Sequence, residues 1–273
     1  MRTVNFRDQV MYPIAYKMGI DPTVNLQTDQ AAAYASFVNI WVRRLLNFDW
    51  PDYVNLDART PGGTSGHVVA FDQPNFPVIG RVLKVYLQDP TTSRGITDTP
   101  FRLYSQGIFC GFEHGTQVWI KYIPLPPVYT WAPYDTTITY GLGALVYDST
   151  AAPAGGNCYA SAQAGNLNNP LSNASWWTLV PFAWELSGLV VRGAYAEALR
   201  EDGQTDKARA EEAAVMSDVL LKISGIVSDP YDAISDESRR APRYRTPSGI
   251  LDLAITQILA AGAGGGGGGG RGQ

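Results

Sequence analysis

Residues 28–47 read TDQAAAYASFVNIWVRRLLN, and this stretch decides the fold. Its apolar side chains recur at three- and four-residue spacing, which places them on one face of an amphipathic helix. They are Tyr34, Phe37, Val38, Trp41 and Leu45. Thr28 followed by Asp29 is a helix N-cap signal. The sequence therefore predicts a helix over about 28–47.

A shorter helix is predicted before this one. Its apolar residues at helical spacing are Phe6, Val10 and Ile14. Pro13 starts or kinks this helix, and Gly19 lies just past its end. Phe48-Asp49-Trp50-Pro51 ends the second helix, because the residue before a proline is disfavoured in helical geometry. Residues 1–55 are thus assigned to a helical hairpin.

Residues 181–222 carry a second helical pattern. One face of a first helix is formed by Trp184, Leu186, Leu189, Val190, Ala194 and Ala198. Asp202-Gly203 breaks that helix, and Thr205 is the predicted cap of the next one. The apolar side of this last helix runs through Ala208, Val215, Val219 and Leu220. The prediction is an α+β fold in which N-terminal and C-terminal helices form one helical bundle, interrupted by antiparallel β insertions.

The region between the helices has the pattern of short β-strands. In residues 56–133, apolar runs such as 67–71, 82–87 and 117–123 are separated by Pro, Gly, Asp and Thr clusters, which is typical of antiparallel β structure. The four prolines of 124–133 cannot donate hydrogen bonds to a sheet, so this segment is predicted to be an extended connector.

A neutral segment, 134–180, follows. Asp135 and Asp148 are its only charged residues, and it is rich in Gly, Asn, Ser and aromatic residues. We interpret it as a small β insert that relies on aromatic packing, because about 47 residues cannot build a large core alone.

The last segment, 223–273, is predicted to be an extended arm with a mobile glycine-rich tip at 264–270. Its basic cluster consists of Arg239, Arg240, Arg243, Tyr244 and Arg245. The guanidinium groups of its four arginines can bind phosphates or a partner's carboxylates. The alternative is that the segment is a solvated tail without a partner. The interleaved proline and tyrosine, in an otherwise acidic chain, favour a protein partner.

Composition excludes several classes of protein. The chain has 273 residues, 45% of them hydrophobic, so it can bury a core. The net charge of −4 argues against tight wrapping of nucleic acid, which needs a basic excess. No continuous apolar stretch approaches the roughly 20 residues needed to span a bilayer, and charged residues interrupt the N-terminus where a signal core would lie. We expect an unsecreted protein with no membrane association, and two reduced, packed thiols at Cys110 and Cys158.

Catalytic candidates are few. His67 and His114 are the only histidines. Cys110 and His114 stand four apart, but in a strand this spacing separates them by roughly 13 Å, so we interpret them as packed or turn residues. The Gly-rich 62–66 lacks the lysine and the following helix of a phosphate loop. No catalytic, metal or cofactor site is predicted, and the chain is not expected to be an enzyme.

The neutral insert resembles the small chitin-binding type of carbohydrate module. The residues that match are Tyr140, Gly143, Val146-Tyr147, Cys158-Tyr159, Asn169-Pro170 and Trp176. In such modules flat aromatic rings stack on sugar faces. By this resemblance Tyr147, Tyr159, Trp176 and Trp177 are glycan-binding or packing aromatics. The exposed aromatic doublet of those modules is replaced here by Ser161-Ala162-Gln163-Ala164.

The two helical segments that flank the β region, residues 1–55 and 181–222, together resemble the head-to-tail adaptor, or connector, proteins of tailed bacteriophages. The similarity rests on a helical hairpin ending in Phe48-Asp49-Trp50-Pro51 and on a closing pair that begins Val180-Pro181-Phe182, contains Ala194-Tyr195-Ala196-Glu197 and breaks at Gly203. Those proteins have a helical bundle interrupted by a β insertion.

The resemblance implies a structural role in the virion neck, after assembly in the host cytoplasm. Many copies, commonly twelve, would form a ring beneath the portal protein and join the next neck or tail protein, serving genome packaging and ejection. DNA would pass through the centre without specific binding, and residues 239–262 match the portal-reaching arm by position. The alternative function is recognition of host glycans through the 134–180 insert.

Overall fold

A computed structural model of the chain describes its backbone over most of residues 2–227, and it describes the side chains of these residues except 110 and 224–227. The described ranges are 2–48, 50, 53–62, 68–73, 76–92, 98–110, 116–150 and 155–227. The chain divides into two units, Met1–Val219 and Leu220–Gln273.

The described helices lie at the two ends of the first unit. A π-helical turn, Arg7–Met11, continues into α1 (Tyr12–Lys17), and α2 spans Thr28–Leu46. Near the other end, α3 spans Trp184–Glu201 and α4 begins at Thr205 and ends at Val227. Helix α2 matches its prediction to within one residue. Its cap is Gln27, whose side chain accepts from the Gln30 backbone N–H, while the Gln30 side chain accepts from the Gln27 backbone N–H. Thr28 is therefore the first helical residue and not the cap.

Helices α2 and α3 pack face to face through the predicted apolar positions. Tyr34, Val38, Trp41 and Leu45 are buried on α2, and Leu186, Leu189, Val190 and Ala194 are buried on α3. Phe37 and Trp184 do not follow this pattern: Phe37 is half-buried, and Trp184 is 54% exposed at the start of α3.

The predicted helical bundle is wrong as a description of this arrangement. Among the described helices, α2 and α3 make by far the most extensive helix–helix contact. The π-helical turn and α1 together span only Arg7–Lys17 and meet α3 over a short length. In its described part within the first unit, α4 buries Ala208, Val215 and Val219 and otherwise meets α2 and α3 through ion pairs. The observed class is α+β with antiparallel sheets.

The strands form five antiparallel sheets in the described residues, and all of them except β1 lie between the helices of the two ends. They are β1 (Thr3–Val4), β2 (Asn55–Arg59), β3 (Val68–Ala70), β4 (Ile79–Tyr86), β5 (Phe101–Tyr104), β6 (Gly107–Cys110), β7 (Val118–Pro124), β8 (Thr139–Tyr140), β9 (Leu145–Tyr147), β10 (Cys158–Ser161), β11 (Asn166–Leu167), β12 (Trp177–Val180) and β13 (Phe182–Ala183). The predicted runs 82–87 and 117–123 correspond to β4 and β7, and β3 lies within 67–71.

Two three-stranded sheets, β2-β7-β4 and β3-β6-β5, share one core. Its buried residues are Val69, Ile79, Val85, Ile108, Val118, Ile120 and Tyr122. Strand β4 is irregular, with register shifts between Ile79 and Arg81 and between Val82 and Lys84. Residues 125–132 after β7 have no regular structure, which agrees with the predicted connector.

The neutral insert forms the sheet β9-β10-β12 and the pair β8-β11. Two of its loops are closed by the same Asp-x-Thr turn, in which an aspartate accepts from the backbone and hydroxyl of the threonine two residues later. These turns are Asp135/Thr137 and Asp148/Thr150. The hydrogen bonds from Thr137 hold the pKa of Asp135 below its ordinary value.

The N-terminal strand joins the two ends of the first unit. Strand β1 pairs with β13, so that Thr3 lies opposite Ala183 and Val4 opposite Phe182. Phe6 stacks on Tyr129 with ring centroids 5.1 Å apart, and both rings contact Phe182. Residues from the first, middle and last parts of this unit therefore share one aromatic cluster.

Candidate functional site

Several predicted site residues lie outside the described part of the chain. These are the basic cluster of Arg239, Arg240, Arg243, Tyr244 and Arg245, and the histidines His67 and His114. Most of 62–66 and the glycine run 264–270 also lie outside it, as do Asp49 and Pro51. The portal-binding prediction for the arm therefore stays a prediction.

Cys158 is a buried free thiol, as expected. Its Sγ donates to the Thr130 carbonyl at 3.2 Å. Burial raises the pKa of the thiol to about 12. Cys158 is therefore protonated near neutral pH, which suits a packing residue and not a nucleophile.

Two of the four predicted insert aromatics, Tyr147 and Trp177, are packed inside the insert. Trp177 is 2% exposed, and its indole N–H donates to the Asn169 carbonyl at 2.8 Å. Its ring meets the edges of Tyr134 and Tyr140. Tyr147 is 3% exposed and stacks on Trp131 with centroids 4.1 Å apart. Neither ring presents a flat face for a sugar.

The other two aromatics, Tyr159 and Trp176, are half-buried. The backbone carbonyl of Trp176 accepts from Ala162 N and from Asn166 Nδ2. The Trp176 main chain therefore links two other segments of the insert. Of residues 161–164, which replace the aromatic doublet of carbohydrate modules, Ser161 is buried, 162–164 are exposed, and none carries a ring. Of the four predicted aromatics, only Tyr159 and Trp176 are therefore partly open to solvent.

The N-terminus is tied to the insert by an arginine that the sequence reasoning missed. Arg7 is 6% exposed, and its Nη1 donates to the Thr150 carbonyl at 2.7 Å. Its backbone N–H donates to the Gly156 carbonyl at 2.8 Å. The hydrogen bond to Asp8 raises the pKa of Arg7, so the guanidinium stays charged. These contacts span about 145 positions of sequence, and no local pattern predicts them.

A second buried arginine, Arg59, lies in the β2-β7-β4 sheet. Its guanidinium lies over the Tyr122 and Phe76 rings, at 4.8 and 4.7 Å from their centroids. Nη2 donates to the Tyr122 hydroxyl and to the Pro77 carbonyl, both at 2.8 Å. Tyr122 in turn donates to Asp57 at 2.5 Å. This polar chain satisfies only Nη2 of a side chain that is 1% exposed, because Nε and Nη1 are buried without a hydrogen-bond partner among the described residues.

A charged seam joins α4 to α2 and α3, and it is the largest set of ion pairs in the described residues. We call Arg44, Arg192 and Arg200 the arginine row, and Glu211, Glu212 and Asp218 the acidic row. Arg44 and Arg200 contact the two oxygens of Glu212 at 2.5 and 2.6 Å. Arg192 binds Glu211 at 2.6 Å and also pairs with Asp218.

The seam continues into the apolar face of α2. Glu197 pairs with Arg200 and accepts from the Trp41 indole at 3.3 Å, and the Arg44 guanidinium lies 4.8 Å from the Trp41 ring centroid. Hydrogen bonds to Glu211 and to Glu197 raise the pKa values of Arg192 and Arg200, respectively. Every member is partly exposed, so each pair contributes only about 0–1 kcal/mol.

Small-molecule sites are not prominent among the described residues. A cleft of about 150 Å³ lies between β1 and the insert, lined by Thr3, Val4, Asn5, Asn157, Leu179 and Pro181. Ligand pockets usually enclose roughly 300–1,000 Å³, so this cleft is small for a substrate. Within the same residues, no group of three or more His, Cys, Asp or Glu side chains is placed to hold a metal ion. None of the described helices has the length and apolarity to cross a membrane.

Comparison of the chain with protein-family models, with curated proteins and with solved structures found no significant match.

Proposed function

We propose that the protein is a structural, non-enzymatic head-to-tail adaptor of a tailed bacteriophage. Copies of the chain assemble in the host cytoplasm into a ring, taken to be a dodecamer, beneath the portal protein. In the virion neck the ring joins the portal to the next neck or tail protein, and DNA passes through its centre. The observation that carries the proposal is the closure of the chain on itself: β1 and α2 pack on β13 and α3, with the β region between them.

The surface of the subunit supports ring formation. A closed ring needs a heterologous interface, in which one surface of each copy meets a different surface of the next. Large apolar side chains are exposed on three separate parts of the first unit: Val24 before α2, Leu103 on β5 and Leu142 in the insert. Because these apolar side chains lie on separate elements, they can contribute to contacts with two different neighbouring copies in a ring.

The charge balance supports passage of DNA without retention. A net charge of −4 gives phosphate groups little attraction to the subunit as a whole, and few counterions would be released on contact.

Glycan recognition is not proposed as a second function. Tyr147 and Trp177 are packed in the insert, and 162–164 offers no aromatic ring. These observations favour a packing role for the insert aromatics.

The proposal is tested by multi-angle light scattering of the purified chain alone and mixed with portal protein. We expect a ring-sized species, formed either by the chain alone or on the portal. A persistent monomer that leaves the portal unbound would exclude the adaptor role.

The contribution of the basic cluster is tested in the same mixture. A variant with Arg239, Arg240, Arg243 and Arg245 all changed to Glu should lose portal binding. The control is Arg102→Glu, which reverses an exposed charge on β5 and should retain it.

A further inference from the structure

Helix α4 is attached to α2 and α3 by a different kind of contact from the one that joins α2 to α3. In the four ion pairs that join α4 to α2 and α3, the arginine always lies on α2 or α3 and the carboxylate always lies on α4. The arginine row and the acidic row are thus two complementary surfaces within one chain. Any second copy of the chain brings the same two surfaces.

The apolar contribution to this attachment is small. The buried residues of α4 in the first unit are one alanine and two valines, Ala208, Val215 and Val219. Helix α3 buries nine residues against its neighbours. The attachment of α4 therefore combines a small apolar contact with partly exposed ion pairs, and the ion pairs are weak and sensitive to salt.

The connection between α3 and α4 has the form of a hinge. It consists of Asp202, Gly203 and Gln204, and Gly203 has a φ of +78°. Glycine adopts this left-handed conformation without steric penalty and leaves it as readily. Short connections of this kind favour exchange of the following element between copies, because opening the hinge replaces every internal contact with an identical contact to a neighbour.

We propose that α4 is exchanged between copies of this chain, so that the acidic row of one copy docks on the arginine row of another. The exchanged helix is the interface that joins the copies. This inference concerns only how copies join, and it holds whether or not the assembly lies under a portal.

Charge reversal tests the exchange directly. One variant carries Arg192→Glu, and the other carries Glu211→Arg and Asp218→Arg. Each variant alone has repelling charges between α3 and α4, both within a copy and between identical copies. In an equimolar mixture, every pair is opposite in sign when α4 is exchanged between the two variants.

The readouts are light scattering and hydrogen exchange of the α4 backbone amides. We expect each variant alone to be monomeric with rapidly exchanging α4 amides. The mixture should form a species of at least twice the monomer mass, with α4 exchange slowed about tenfold or more.

A variant carrying all three substitutions is the control for folding. It restores opposite charges within one copy, so its α4 amides should be protected again. If this variant is protected while the mixture stays monomeric with unprotected α4 amides, α4 is bound only within its own copy and the proposal is wrong.

Discussion

Gly193 on α3 lies directly against the indole ring of Trp41 on α2. A Cβ atom at position 193 would be 2.0 Å from Trp41 Cδ2, far inside van der Waals contact. Trp41 is fully buried, and its N–H is bound to Glu197 one turn further along α3. The close packing of the two helices therefore depends on the missing side chain at 193.

We predict that Gly193→Ala destabilises the protein by about 3 kcal/mol, because the new methyl group displaces a buried ring that has no free space. The control is Gly188→Ala on the same helix, where a Cβ would have no neighbour within 4 Å. That change should stabilise the protein by up to about 1 kcal/mol through helix propensity. Urea unfolding of both variants checks this, and equal effects would contradict the role of Gly193.

Tyr122→Phe is predicted to reduce the free energy of unfolding by about 1–3 kcal/mol. The substitution removes a hydroxyl that accepts from Arg59 and donates to Asp57, leaving a buried guanidinium with a lost partner. Tyr104→Phe is the matched control, since Tyr104 is 50% exposed on β5 and should change stability by less than about 0.5 kcal/mol. Chemical denaturation distinguishes the two, and an unchanged Tyr122→Phe protein would contradict the proposed support of Arg59.

The two neighbouring tryptophans of the insert are predicted to differ sharply. Trp177→Ala should cost about 3–5 kcal/mol, because it leaves a cavity beside the stacked Tyr134 and Tyr140 rings and removes one of the two donors to the Asn169 carbonyl. Trp176→Ala should cost less, because that side chain is half-buried. Thermal unfolding measures both effects. Glycan-array binding that disappears with Trp176→Ala in a folded protein would revive the carbohydrate-binding alternative.

Cys158 should resist thiol reagents in the folded protein. In a Cys110→Ser background, which leaves Cys158 as the single thiol, labelling at about pH 8 should proceed only as fast as the protein unfolds, and addition of denaturant should make it rapid. Fast labelling of the native protein would show that the thiol is accessible.

The same thiol predicts a loss of stability at alkaline pH. Its pKa is about 12 in the folded state and near its ordinary value of 9.0 when unfolded. The contribution of the protonated thiol is complete below about pH 9 and is lost as the pH rises towards 12. Cys158→Ser should flatten the stability profile over this window in part, because burial also raises the pKa values of Tyr129 and Tyr147.

The helices were largely predictable from sequence, since their signals are local. The apolar spacing from Tyr34 to Leu45 and the break at Gly203 depend on residues a few positions apart. The spacing of Phe6, Val10 and Ile14 also predicted the N-terminal helix, and all three side chains are buried. The spacing did not show that the first part of this helix, Arg7–Met11, is π-helical.

The interior arginines and the closure of the chain were not predictable in the same way. Arg7 and Arg59 look like ordinary surface charges in sequence, and their partners Thr150 and Tyr122 are far away in the chain. Gly193 gave no signal either, because an isolated glycine in a helical pattern does not identify the ring it accommodates. The pairing of β1 with β13 joins two-residue strands, which are too short for an alternation pattern.

The pairing of the two ends has a consequence for synthesis on the ribosome. Helix α2 is complete at Leu46, but its apolar face is covered only after α3 ends at Glu201, about 155 residues later. At about 5–20 residues per second this interval lasts about 8–30 s. Throughout it, Trp41 lacks its native contacts with Gly193 and Glu197 of α3, so the apolar face of residues 28–46 is exposed on the nascent chain and is the expected site of chaperone binding or aggregation.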